Sequence, residues 1–317
     1  MKRLHIVTSC TDRKLSAVPE ELRLREIEES RLGNRVRCWT RRLSRTQEST
    51  VPVRQLYGGE HWTEFLRLID DPPGGYTIQG WVISAGYGLL PVDGTVSPYS
   101  ATFTRQSPDS VRPPSVAWSE SEWWTALADW PGLSEGPRLL SQLTDAPVLI
   151  AASGTYLRSI QPDLIRLLES SRPGRATVFS SRTSAFLSTR TEFVGYDSRL
   201  QTLFGGSKVG LNIRALAHAL SRASSSRTEK LRQVITEAMA SLPEPEYPIR
   251  DAAPDHEVRA FIRSAIAESL SVRPTPLLRR WRAGSRACEQ GRFRALFWEE
   301  YEALSHETNG QMGLELA

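Results

Sequence analysis

Two short stretches of the chain combine residue types that do chemistry. The first, "VTSCTDRK" over 7–14, sets Ser9, Cys10, Asp12 and Lys14 at the end of an apolar run. The second, "WVISAGYGLLPVDGTVSPYSATF" over 81–103, leaves an apolar run for a loop with one carboxylate, Asp93, among Tyr87, Tyr99 and Phe103. Gly86 and Gly88 permit a sharp turn where the run ends, and Pro91 and Pro98 lower the entropy lost in fixing Asp93. A carboxylate on a stiff loop beside aromatic rings suits a pocket that sandwiches a flat ligand and aims one water at it. Asp93 is then the first choice for that acid. Asp12, which also follows a strand and lies beside Lys14, is the second. Alternatively, Asp93 caps a turn and the aromatics are core. Cys10 is either a nucleophile activated by Lys14 or a small buried thiol. Lys14 is a Schiff-base amine, a phosphate contact or the partner of an acid.

Those residues need a frame. Four short apolar segments read as strands: "LHIVTSC", "GWVISAGYG", "APVLIAASG" and "ATVFSS". Between them, "EHWTEFLRLID" and "YLRSIQPDLIRLLESS" read as helices, the latter with Leu157, Ile160, Leu164, Leu167 and Leu168 on one face. This alternation predicts an α/β domain over 1–242, a mainly parallel central sheet flanked by helices. Ligands of such sheets collect outside the carboxyl ends of the strands. The segments "TSCTDRK", "SAGYGLLPVD" and "ASGTYLR" are therefore expected to converge on one crevice. Ser9, Cys10, Ser84, Tyr87, Tyr99, Gly154 and Tyr156 would shape it.

Further on, "FGGSKVGLN" is expected to start a helix at Gly205, Gly206 and Ser207, whose free amides with Lys208 make an anion site. Ser207 as a helix N-cap is an equal alternative, compatible with the first. Val209, Ile213, Leu216 and Leu220 form that helix's apolar stripe, with Lys208 and Asn212 on a neighbouring polar face. The spacing of a phosphate-binding Walker motif is absent, so no nucleotide triphosphatase is inferred. A second helix is expected through "LRQVITEAMASL", then a proline-rich linker over 243–254. A helical region follows over 255–305, with Gly284 between two helices in a helix-turn-helix-like arrangement, and a tail over 306–317. Between 272 and 294, Arg273, Arg279, Arg280, Arg282, Arg286, Arg292 and Arg294 stand against Glu289 alone. Such concentrated charge attracts phosphate backbones, unless it is only a solvated helix face.

The composition bounds the rest. With 317 residues, 39% of them hydrophobic, the chain can fill a core, and its net charge is +4. No run approaches the roughly 20 apolar residues of a membrane span, so no membrane partner is expected. Cys10, Cys38 and Cys288 are too scattered for a disulfide framework or a zinc ribbon, which fits a reducing cytoplasm. The five histidines show no ligand spacing, and Asp70–Asp71 precede "PPGG", which reads as a surface turn, without the convergent acids of two-metal chemistry. No metal and no cofactor are expected.

The stretch "SAGYGLLPVD…PY" at 84–99 resembles the S-A-x-[HY]-G-L-L…P-Y signature of a bacterial family related to the peroxide-stress protein YaaA. "VTSCTDRK" resembles that family's opening strand and its S-C-x-x-x-K. "SGTYL" and "TPLLRRWRAGSRACEQGRF" are similar to elements of larger relatives. The likeness covers most of 1–220 loosely and is sharpest at 84–99. It implies a uracil-DNA-glycosylase-like fold and, by similarity to the antiphage members, removal of glucosylated hydroxymethylcytosine from phage DNA to leave abasic sites. Cleaving an N-glycosidic bond passes through an oxocarbenium-like sugar, which a nearby carboxylate stabilises while it orients water. The flipped base needs an aromatic platform. On this reading Asp93, with Asp12 in reserve, positions the water, and Tyr87 and Tyr99 shape the base pocket. Lys14, Ser207, Lys208, Asn212, Arg214, Arg279, Arg280, Arg282 and Arg286 hold the DNA backbone. The chain would work as a cytoplasmic monomer. Two alternatives stay open: a non-catalytic DNA-binding stress protein, and a base transglycosylase or nucleoside hydrolase, against which the arginine cluster argues. The base removed, any lyase step and the strand preference stay open too.

Overall fold

The opening run becomes the central strand of the protein. Lys2–Ser9 (β1) pairs in parallel on one side with Tyr76–Ser84 (β3) and on the other with Val148–Ala151 (β6). Leu4, Ile6 and Val7 are fully buried, the signature of a strand covered on both faces. The remaining strands are Val51–Pro52 (β2), Gly88–Pro91 (β4), Thr95–Val96 (β5), Ala176–Ser180 (β7), Phe193–Gly195 (β8), Asp251–Ala252 (β9) and Arg286–Ala287 (β10). The main sheet has the order β4-β3-β1-β6-β7-β8, and only β4 runs antiparallel. This computed structural model describes residues 2–46, 49–114, 116–130, 136–181, 187, 189–244, 251–269 and 271–314, with side chains to 304. The chain divides into two units, 1–245 and 246–317.

The predicted α/β class with a mostly parallel sheet is what forms. The helices of the first unit are Leu32–Arg45 (α1), Val53–Leu56 (α2), Glu60–Asp70 (α3), Glu120–Ala128 (α4), Gly154–Ser159 (α5), Gln161–Ser170 (α6), Arg199–Phe204 (α7), Leu211–Arg222 (α8) and Thr228–Ala240 (α9). The helix expected over 156–171 is two, α5 and α6, divided at Ile160. Pro162 cannot donate the i→i−4 bond that would continue α5. The edge strand β4 was not foreseen. Gly88, at φ +79°, turns the chain back on itself, and Leu89, Leu90 and Pro91 retrace Ile83, Val82 and Trp81.

Two polar groups brace this unit from inside. Arg35 on α1, 3% exposed, donates to the carbonyls of Ile27, Leu24 and Val111, and at longer range to those of Glu29 and Ser110. Asp163 on α6, fully buried, accepts from Trp124 Nε1, the Leu140 and Ser141 amides and the Ser141 hydroxyl.

A third polar tie, at the amino end of the sheet, responds to pH. Asp145 accepts from His5 Nε2 at 2.7 Å and from Arg3 at 2.8 Å. The His5 contact, helped by Arg3, holds its carboxyl at about 2, below the ordinary 3.8. A carboxyl depressed on folding stabilises the protein above its unfolded value and loses that contribution as pH falls through the folded one. The melting-temperature gap between wild type and Asp145→Asn, open at pH 5, should therefore close between pH 4 and pH 2.

The second unit packs Asp255–Glu268 (α10), Pro274–Ala283 (α11) and Gln290–Leu314 (α12) around Val258, Ile262, Leu278, Trp281, Phe293 and Phe297. Of the expected linker, 245–250 lie outside the described residues. Asp251–Ala252 pairs in parallel with Arg286–Ala287, and Ala253 is in the second core, so these residues belong to that unit. The backbone of the expected tail is helical as far as Leu314; 315–317 lie outside the described residues. No described helix is long and apolar enough to cross a membrane.

Candidate active site

After β1 the chain fills one side of that strand with β3 and later returns to place β6 on the other, so the strand order reverses about β1. Crevices form at such a reversal, outside the carboxyl ends of the strands. A cleft of about 640 Å³ lies there. Ser9 enters it as the last residue of β1, Cys10, Thr11, Asp12 and Arg13 just after it, Ser153–Tyr156 and Arg158 after β6, and Ser181 after β7. Gly58–His61 join it from the start of α3, Thr102 and Thr104 from a loop, and Ser207, Lys208, Val209 and Asn212 from the α7–α8 connection and α8. Hydroxyl side chains dominate this lining, with Asp12, Glu60, Arg13, Arg158 and Lys208 supplying charge of both signs. A ligand rich in hydroxyls, amides or phosphates fits such a surface.

Beneath the cleft is a closed aromatic network. Cys10 Sγ lies 3.1 Å from Tyr156 Oη at its surface. Below, the Tyr57 and Tyr99 hydroxyls meet at 2.7 Å, and Tyr99 Oη meets Ser84 Oγ at 2.6 Å. Burial drives the Tyr57, Tyr99 and Tyr156 hydroxyls well above the ordinary tyrosine value, so they serve as neutral hydrogen-bonding groups. Tyr87 donates to the Ser97 carbonyl and accepts from the Ser97 amide. Ser84, Tyr87 and Tyr99 are thus core and do not line the cleft, a correction to the expected base platform. Each ring's polar end is already paired inside. Lys14 is corrected as well. Its Nζ donates to the Thr11 carbonyl and lies 4.8 Å from the Tyr57 ring centroid and 5.0 Å from that of Tyr99. Burial lowers its pKa, with Cys10 and Asp12 opposing, and it does not reach the cleft surface.

The larger correction concerns Asp93. Because β4 runs backwards along β3, the chain has receded to the level of Gly80 by Val92, whose amide donates to the Gly80 carbonyl. Asp93 follows in the turn toward β5, away from the carboxyl edge. Its side chain is 74% exposed and pairs at 3.2 Å with Arg54, which also holds Asp70. Asp93 is a turn residue in a surface ion-pair cluster, as the alternative had it. Of the two candidate acids, Asp12 alone lies in the cleft. It is exposed there and makes no hydrogen bond or ion pair among the described residues.

The expected anion cradle at 205–208 is also differently built. The helix begins only at Leu211, and the Ser207 amide donates to the Glu60 carboxylate at 2.9 Å. Arg214 pairs with the same carboxylate and donates to the Ser207 carbonyl. An internal anion therefore already occupies the amide offered to a phosphate, and Arg214 braces the loop from behind. Val209 is 72% exposed at the rim and takes no part in the buried stripe of Ile213, Leu216 and Leu220. Asn212 is buried and accepts from Tyr196. Gly206 sits at φ +67°, with Glu60 Oε1 and Arg214 Nη1 where a Cβ would project. Gly206→Ala should cost about 1–3 kcal/mol in denaturant-melt stability, from the positive φ and the clash together.

Sequence reasoning missed Glu60 and His61. Both open the helix read from "EHWTEFLRLID", but nothing local signals that its start faces β1. His61 Nε2 lies 2.6 Å from Thr8 Oγ1, and burial holds the ring's pKa at about 4. Among the described residues no cluster of three His, Cys, Asp or Glu is placed to hold a metal. No protein-family profile, characterised protein or solved structure matches the chain.

The C-terminal arginines lie in the second unit, and most are engaged within it. Arg280 pairs with Glu268 at 3.6 Å, and Arg286 with Glu257 at 3.0 Å while lying over the Trp281 ring. Arg292 pairs with Asp255, and Arg282 donates to the Cys288 carbonyl at 2.8 Å. Arg279 is exposed and unpaired among the described residues. The acids that meet these arginines come from α10, outside the window in which Glu289 stood alone. Over 246–317 ten arginines face eleven carboxylates, so the positive excess of the chain resides in the first unit.

Proposed function

We propose that this cleft hydrolyses the N-glycosidic bond of a modified base, with glucosylated hydroxymethylcytosine in phage DNA as the substrate and an abasic site as the product, in antiviral defence. One observation carries the reading: Asp12 is an unengaged carboxylate at the carboxyl edge of the central strand, inside a hydroxyl-rich cleft of about 640 Å³. That volume suits a flipped nucleotide. Asp12 would orient water toward the sugar carbon and offset the positive charge that develops there. Ser9, Cys10, Gly154 and Tyr156 would contact the base, and Arg13, Arg158 and Lys208 the flanking phosphates. The likeness of 7–14 and 84–99 to the YaaA-related family supports the same choice.

The test is to incubate the full chain with phage DNA carrying the glucosylated base and with the same DNA unmodified. Free base by mass spectrometry and alkali-labile sites are expected from the first alone. Tight binding with no base released from either would leave a DNA-binding protein and overturn the hydrolase. A nucleoside-level hydrolase is the second reading, favoured by the near-neutral balance of the second unit. Turnover of the free modified nucleoside at a rate matching the polymer would establish it.

A further inference from the structure

The cleft does not end at α5. A second cavity of about 500 Å³ adjoins it, between the loop at 103–106, the start of α4 and the junction of α5 with α6. Thr104 on one wall and Thr155 and Arg158 on the other border both spaces. The floor beneath them is shared. Phe103, which lines the second cavity, meets Tyr156, which lines the cleft, edge to face with ring centroids 5.3 Å apart. Three side chains thus stand at the divide, and two of them, Thr104 and Arg158, are exposed.

The charges around this divide are unevenly committed. Arg105, in the second cavity, is held by Glu120 through two contacts, Nε to Oε1 at 2.6 Å and Nη2 to Oε2 at 3.2 Å. Arg158 makes a long contact of 3.4 Å to Thr155 Oγ1 and no ion pair among the described residues. Beyond it, hydroxyls and amides predominate, Ser121, Gln106 and Gln161 among them. One uncommitted guanidinium at the divide, with a neutralised polar chamber behind it, matches one anionic link followed by an uncharged hydrogen-bonding unit. A phosphodiester leading to a second nucleoside has that pattern, and each space is large enough for one such unit. A di- or triphosphate brings more charge than one arginine offsets, and a disaccharide brings none.

We propose that the second cavity is the subsite for the nucleotide flanking the one in the cleft, and that Arg158 grips the phosphodiester between them. The subsite rests on the reading of the cleft as a nucleotide site, and adds to it the course of the strand, from the end of β1 past α5 toward the start of α4. It also gives the first unit a polymer grip of its own, independent of the C-terminal arginines.

Dissociation constants for the full chain can be measured with deoxycytidine and with the two dinucleoside monophosphates that join it to thymidine on its 5′ or its 3′ side. The same pair linked by a neutral methylphosphonate completes the set, which is repeated with the glucosylated base. On either base, one isomer should bind about tenfold tighter than its nucleoside. That isomer should also move the ¹⁵N side-chain amide signals of Gln106 and Gln161, which the nucleoside leaves in place. Its methylphosphonate should lose the gain, and so should Arg158→Gln. Ser121→Trp, which fills the second cavity from the start of α4, should erase the gain while nucleoside affinity stays within about twofold. Equal affinity for nucleoside and both dinucleotides, or binding of no probe, would overturn the subsite. So would a gain that survives the neutral link or either substitution, or one that leaves both glutamine signals unmoved. None of these readouts needs turnover. Base release from DNA with no gain from the flank would remove the subsite and leave hydrolysis standing; the gain without base release would do the reverse.

Discussion

Asp12→Asn should lower base release by roughly 10²- to 10³-fold, the range of a lost general base or charge stabiliser. Asparagine has almost the same shape and still offers one oxygen to a water. It lacks the negative charge that polarises that water and steadies the cationic sugar, so the loss should fall on the chemical step. Single-turnover rates on the glucosylated duplex would then collapse while the dissociation constant for the same DNA changes less than about threefold, since binding does not use the missing charge. Asp93→Asn is the internal control and should behave as wild type, because its carboxylate faces solvent beside Arg54. If Asp12→Asn retained more than a tenth of the rate, the water-orienting group would have to be sought elsewhere. Glu60 is a poor substitute, since its oxygens are committed to Arg214 and the Ser207 amide.

The contrast between the two aspartates shows what was legible in the sequence. The four parallel strands at the middle of the sheet could be read from their apolar runs, because strands covered on both faces leave no room for polar alternation. From the strand ends the crevice followed, and Ser9, Cys10, Asp12, Gly154 and Tyr156 are indeed drawn together there. Asp93 was misplaced by treating the segment after Ser84 as a loop that stays at the strand end. A four-residue strand gives almost no periodic signal, and whether "GLLP" loops outward or pairs backwards on β3 depends on the exposed edge it finds. The same hairpin sends Tyr87 and Tyr99 under the cleft rather than into it.

Other parts were illegible because they depend on contacts distant in the chain. Glu60 meets Ser207 across 147 residues. Its carboxylate fills the anion site that "GGSK" advertises locally, and no window around 205–208 contains that fact. The arginine cluster failed in the same manner. Counted along 272–294 it looks like a phosphate grip, but Asp255, Glu257 and Glu268 on α10 fold against it. Local composition reports which charges exist, and only packing decides which of them remain available.

Arg35→Met should destabilise the protein by about 3–5 kcal/mol, the range for breaking a buried charged network on one side. Methionine fills much of the volume and supplies no donor. Among the described residues the guanidinium faces no carboxylate. It is held by backbone carbonyls from two segments, 24–29 and 110–111, that have little regular structure of their own. Burial lowers its pKa, so the charge is retained against desolvation by those dipoles. Removing the donors leaves several buried carbonyls unsatisfied at once, each at about 1–3 kcal/mol before relaxation admits water. Relaxation is possible because Glu29 is exposed, which keeps the expected total below the sum. Arg35→Lys should recover part of the loss, since three donors on one nitrogen cannot span the carbonyls that a planar fork reaches. Urea midpoints for the three proteins, with hydrogen exchange at Leu24 and Val111 as local reporters, would measure this directly. A cost under about 1 kcal/mol would mean that the two segments hold each other through Arg25–Asp109 and the Leu22–Ser100 backbone pair instead.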